Sequence, residues 1–169
     1  KQSKLIPLLL VLAGILVLLY PVVATYMANR NQSVVSQVYT NTTSDISQEQ
    51  NDAIISAAKR YNKESVGGPV LDPWLARIRD DNPAYMEYLD HLNFGTDAMG
   101  RVVIPAIHSD LPIYHGTTEE VLEKGIGHLF GTSFPVGGEG AHAVLTGHTG
   151  LTRATLWDNL NKVKPGDAI

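Results

Sequence analysis

The chain has 169 residues, 44% of them hydrophobic, a formal net charge of −4 and no cysteine. Its length allows one domain of ordinary size plus appendages. The missing cysteines exclude a disulfide framework and cysteine-ligated zinc, and no basic patch with interleaved aromatics is present to receive nucleic acid.

Leu5 to Val23 carries no charged residue. A run of about 20 apolar residues matches the roughly 30 Å hydrocarbon core of a bilayer. Lys1 and Lys4 precede it and Arg30 is the first cation to follow, so the positive-inside rule puts the N-terminus in the cytoplasm and the remainder outside. A cleaved signal peptide would have a shorter core, about 7–15 residues, ending at a small-residue site; here Tyr20-Pro21 follows instead. The expectation is a cytoplasmic stub over 1–4 and an uncleaved transmembrane anchor over 5–23 in contact with membrane lipid. Tyr20 and Tyr26 then stand at the outer interface, and the rest of the chain lies on the extracellular side of the cell membrane.

Residues 24–46, polar from Asn31 to Thr43, read as a juxtamembrane stalk. Ser47 followed by Gln50 fits a capping box. Apolar residues at helical spacing from Ile46 through Tyr61 then predict a helix from about Ser47 to Lys63, closed by Gly67-Gly68-Pro69. Asp72-Pro73-Trp74 centres a short extended or turn segment, and Asn82-Pro83 starts a helical turn through Leu89. These pieces form a helical region over 47–99.

From residue 100 to 169 the pattern changes to short apolar runs between Gly and Pro turns. Strands are expected at Arg101–Pro105, Leu111–Tyr114, Gly127–Leu129 and Ala141–Leu145. A helix over Glu119–Lys124 is capped by Thr117 or Thr118 and stopped by Gly125, and a second short helix is expected over Leu156–Leu160. The class is mainly β, a barrel or sandwich with short helices. Gly166-Asp167 turns into two strand-like residues, Ala168-Ile169. A stub of that kind leaves a sheet edge open, so the barrel is expected to be incomplete in this chain.

The apolar Ala143-Val144-Leu145 leads into Thr146-Gly147-His148-Thr149-Gly150. This places an imidazole at the end of a buried strand, where a general acid or base would serve a nucleophile. The intervals between His108, His115, His128 and His142 match no metal-ligand pattern; neither metal nor cofactor is expected. Gly137-Gly138-Glu139-Gly140 lacks the lysine and helix of a phosphate loop and reads as a hairpin turn. Asp52, Asp80, Asp81, Glu119 and Glu120 read as solvated charges.

In order along the chain, several segments together resemble the class C, or pilin-polymerising, sortases. They are Val103–Ile107, Leu111–Gly116, Gly127–Gly138 and Ala143–Leu151, with Asp72-Pro73-Trp74 ahead of them all. The resemblance implies a sortase-type β-barrel behind an N-terminal transmembrane helix. It also implies a transpeptidase whose cysteine attacks a Leu-Pro-x-Thr-Gly-like sorting signal and passes the acyl group to a lysine of the next pilin subunit. By the same resemblance His148 is the general acid/base, and Asp72, Pro73 and Trp74 form a lid over the site. The family's cysteine and arginine match no position of this chain; neither Ser133 nor Thr146 fits the motif as a substitute nucleophile. Thr149 stands where many members carry arginine. The partner implied is a pilin or surface protein bearing the signal and an acceptor lysine. A cell-wall-anchoring sortase of another class and a non-catalytic sortase-like binding module are the competing expectations.

Overall fold

The computed structural model describes residues 5–64 and 82–169. One helix, α1, runs over Leu5–Asp45, about 60 Å at 1.5 Å per residue. From Leu5 to Val23 every side chain except that of Pro21 is exposed, and α1 is long and apolar enough to cross a membrane.

The polar stretch beyond Val23 continues the same helix. Serine and threonine are poor helix formers because their hydroxyls compete for backbone groups. Here Thr40, Thr43 and Ser44 turn that competition inward, donating to the carbonyls of Ser36, Tyr39 and Thr40 one turn back. One face of the extension also packs on the domain. Gln32 and Ser36 are buried, Tyr39 meets Phe94 edge-on at 5.4 Å, and Arg101 Nη1 donates to Thr40 Oγ1 at 2.6 Å. Tertiary contacts of this kind outweigh weak intrinsic propensity.

Helix α2 (Gln48–Glu64) starts on the predicted capping box. Gln50 N–H donates to Ser47 Oγ, and Ser47 N–H donates to Gln50 Oε1. Its residue Asn62 clamps Phe134, donating to the carbonyl at 3.0 Å and accepting from the N–H at 2.7 Å. Helix α3 (Pro83–Asp90) begins with Asn82 as N-cap and Pro83 in the first turn, where a missing N–H costs nothing. It carries Tyr88, fully buried and stacked on Phe134 at 5.4 Å.

Among the described residues the sheet has four strands in the order β1-β2-β3-β4 and stays open. β1 (Gly100–Ile104) and β2 (Ser109–His115) form an antiparallel hairpin with Val102 opposite Leu111. A short 3-10 turn, Pro105–Ile107, links them. Helix α4 (Glu119–Lys124) is capped by Thr118 and ends at Gly125. It carries the chain over to β3 (Ile126–His128), which lies parallel to β2 with Ile113 opposite Ile126. β4 (Leu145–Thr146) pairs antiparallel to β3, His128 opposite Leu145. Ile104, Ile113, Ile126, Phe130, Phe134 and Tyr88 make the centre of the core.

Besides the stalk, which continues α1, three expected elements differ. The strand over Ala141–Leu145 contracts to Leu145–Thr146, because Val144 and His142 accept instead from Leu129 N–H and Ser133 N–H in the irregular loop beyond β3. No helix forms over Leu156–Leu160: Leu156 has φ +35°, a left-handed value that interrupts a helix, and the chain makes a 3-10 turn at Leu160–Lys162 instead. Ala168 starts no strand; the Lys164–Asp167 turn closes on itself through Lys164 N–H to Asp167 Oδ2.

Candidate active site around His148

His148 stands two residues past the end of β4. What fixes it there begins with Gly147. A Cβ on Gly147 would lie 2.5 Å from Ile126 Cδ1 and 3.8 Å from the Trp157 indole. Ile126 is fully buried, so a side chain larger than hydrogen at 147 makes the end of the Ile126 side chain shift within the core. Beyond Gly147 the chain loops back: Trp157 N–H donates to the His148 carbonyl at 3.4 Å, and Gly150 N–H donates to Asp158 Oδ1 at 2.6 Å.

Helix α4 braces the loop from its other side. Glu119 and Glu123 are four residues apart and therefore share a face. Glu123 pairs with Arg153. Glu119 Oε1 lies 3.4 Å from His148 Nε2, yet Nε2 is buried and has no hydrogen-bond partner; the carboxylate is near the ring without being aligned to bond it. The imidazole is 31% exposed as a side chain, with its backbone held and its ring open to solvent on one side. Thr149 beside it is exposed.

Asp72, Pro73 and Trp74 lie outside the described residues. Ser133 and Thr132 belong to a second, buried histidine. His128 Nε2–H donates to the Ser133 carbonyl at 2.8 Å, and Thr132 Oγ1 lies 3.3 Å from the same nitrogen. The Tyr88 hydroxyl accepts from Gly116 N–H at 2.9 Å and reaches both His128 Nδ1 and the His128 carbonyl at 3.0 Å. Burial holds His128 below the usual histidine range, partly offset by the Ser133 bond, and pushes the Tyr88 phenol up. His115, with Nε2 2.8 Å from the His91 carbonyl, is pushed down to about 4 by burial, against which that bond acts in the opposite direction. Among the described residues no cluster of His, Asp or Glu is suited to a metal ion. Glu119 is not legible in the sequence as a neighbour of His148, since α4, β3 and a long irregular loop separate the two along the chain; the nearest signal is the shared helical face of Glu119 and Glu123.

The chain resembles known proteins in this same region. A family model for the sortase domain matches residues 102–169. Sortase D of Bacillus subtilis (strain 168) is 36% identical over 72 residues, 43% of this chain and 33% of that protein. The crystal structure of sortase C-1 from Actinomyces oris is 51% identical with a TM-score of 0.64, covering 70% of this chain and 65% of that one. Sortase A from Corynebacterium diphtheriae is 44% identical with a TM-score of 0.62, covering 85% of this chain and 68% of that one. The chain belongs to the sortase family. It spans about a third of the Bacillus sortase and about two thirds of the Actinomyces one. Further structural neighbours of this sortase chain are sortases C of streptococci, one of them described as pilus-related and another in connection with pilin substrate specificity. The open four-stranded sheet is the sortase fold over the part of the barrel that this chain carries.

Proposed function

We propose that this chain is part of a membrane-anchored cysteine transpeptidase of class C, with His148 as its general acid/base. The observation that carries the reading is the placement of His148. It sits just past a strand end where Gly147 packs against Ile126, with a buried ring nitrogen that makes no hydrogen bond, inside the segment that matches the sortase domain.

The reaction is covalent acyl transfer, which splits one difficult step into two easier ones. A cysteine thiolate supplied from outside these residues attacks the threonine carbonyl carbon of a Leu-Pro-x-Thr-Gly-like signal. The threonine–glycine C–N bond breaks, and the His148 imidazolium gives its proton to the departing glycine amine. A lysine amine of the next pilin then attacks the thioester, His148 takes up its proton, and the C–S bond breaks to leave an isopeptide bond. An arginine, also outside these residues, stabilises the oxyanion. Asp72-Pro73-Trp74 acts as the lid, and helix α1 anchors the enzyme with its catalytic domain outside the cell. The 169 residues alone, lacking a thiol, are inactive.

The test is His148→Ala in the full-length protein. A positioned acid/base contributes about 10²–10⁴-fold, so pilin polymer should fall to trace amounts with the protein still folded; near-normal polymer would overturn the assignment.

A further inference from the structure

The anchor helix does not end where the apolar run ends. Val23 is the last residue of that run, and Thr25 lies about 3 Å further along the axis, Asn29 about 9 Å. Each headgroup layer is roughly 5–8 Å thick, so these two residues occupy that layer and its outer edge. Both are bonded to the loop that follows His148. Thr25 Oγ1 donates to the Thr152 carbonyl at 3.2 Å. Asn29 Nδ2 lies 3.0 Å from Thr155 Oγ1, and Asn29 Oδ1 accepts from Thr155 N–H at 3.3 Å. At the other end of the helix, Arg101 holds Thr40, about 25 Å beyond Val23 and clear of lipid. The domain is bonded to the helix at both heights, so its orientation relative to the helix is fixed.

We propose that the 149–155 loop is a membrane-contact surface resting at the lipid headgroup layer, so that the His148 site receives polypeptide segments lying beside the bilayer. The side chains suit that level. Thr152 is exposed, Arg153 is exposed with its guanidinium paired to Glu123, and Leu151 is half-buried. Tyr26 on the facing helix is 65% exposed. Tyrosine and arginine both place an apolar body toward lipid and a polar tip toward water. The placement rests on the anchor reading of α1 but not on the chemistry assigned to His148.

The test uses the full-length protein, with any cysteine outside these residues changed to alanine, in phosphatidylcholine–phosphatidylglycerol vesicles carrying a nitroxide on the lipid headgroup. A fluorophore is attached at Thr152→Cys or, as the distal control, at Asn93→Cys beside Phe94. Quenching several-fold stronger at 152 than at 93 is expected. A Thr25→Ala/Asn29→Ala background should shrink the difference while the thermal midpoint moves little. Equal quenching at the two positions, with the protein still floating with the vesicles, overturns the placement. A difference untouched by the double alanine background overturns the clamp. Failure to float overturns the anchor reading itself.

Discussion

His128 and His148 lie at opposite ends of the same short β3–β4 ladder and live under opposite conditions. His128 is fully buried with both ring nitrogens engaged, one by the Ser133 carbonyl and one by Tyr88. The His148 side chain is partly exposed, and its Nε2, buried 3.4 Å from the Glu119 carboxylate, makes no hydrogen bond. A ring whose two nitrogens are spent on fixed partners stabilises a fold and has no capacity left for proton transfer. A ring held by its backbone, with an uncommitted nitrogen, is what acid/base chemistry needs. Histidine as a residue type therefore says little; the partners around it decide its role.

The contrast breaks most sharply on the buried side. His128→Ala leaves a cavity, strips the Ser133 carbonyl of its imidazole donor and removes one of the Tyr88 hydroxyl's contacts, and should destabilise by about 2–5 kcal/mol, read as a lower urea midpoint of the full-length enzyme. Little or no change would show that the network contributes nothing. Gly147→Ala pushes a methyl against the buried Ile126 side chain, an overpacking worth about 1–3 kcal/mol. It should also lower activity by more than the loss of folded protein explains, because it displaces His148. Activity per folded molecule equal to wild type would contradict the positioning role of Gly147.

A pH series sharpens the same comparison. His115 and His128 are held neutral by burial, with folded values below the unfolded value near 6.5. As pH falls, the unfolded chain takes up protons first, so it binds more protons than the native state. The stability is therefore present above 6.5 and is lost between 6.5 and about 4, the value to which His115 is pushed. Urea midpoints should fall across that window, and His115→Gln should flatten the slope; a midpoint independent of pH there would contradict the neutral buried rings.

The smallest effect belongs to Glu119. Its carboxylate is largely exposed, and such pairs are worth about 0–1 kcal/mol. Glu119→Gln should leave the thermal midpoint unchanged and alter turnover by no more than about fivefold. A hundredfold loss would promote Glu119 to a part of the reaction.

Local chemistry made much of this legible. Ser47 and Gln50 announce the start of α2, Thr118 and Gly125 bound α4, and Asn82-Pro83 opens α3, because caps and breakers act within a turn. His148 at a strand end was readable for the same reason, from an apolar run closed by glycine. Contacts between distant segments were not. Nothing in Asn31–Thr43 states that Gln32 and Ser36 face a domain that begins only after two further helices, so the extension of α1 reads as a stalk. Leu156 carries no mark of its left-handed backbone, and the clamp of Asn29 on Thr155 joins opposite ends of the chain. Asp72-Pro73-Trp74, expected as a lid, falls outside the described residues.

The central claim, that His148 reacts while His128 supports, is tested most directly by one paired measurement. Single-turnover transpeptidation and thermal midpoints are recorded side by side for His148→Ala and His128→Ala in the full-length enzyme, at a temperature where both remain folded. The expected result is a loss of about 10²–10⁴-fold for His148→Ala with an unmoved midpoint, against a lowered midpoint and a far smaller loss per folded molecule for His128→Ala. Activity retained by His148→Ala, or lost equally by both variants, would contradict the account.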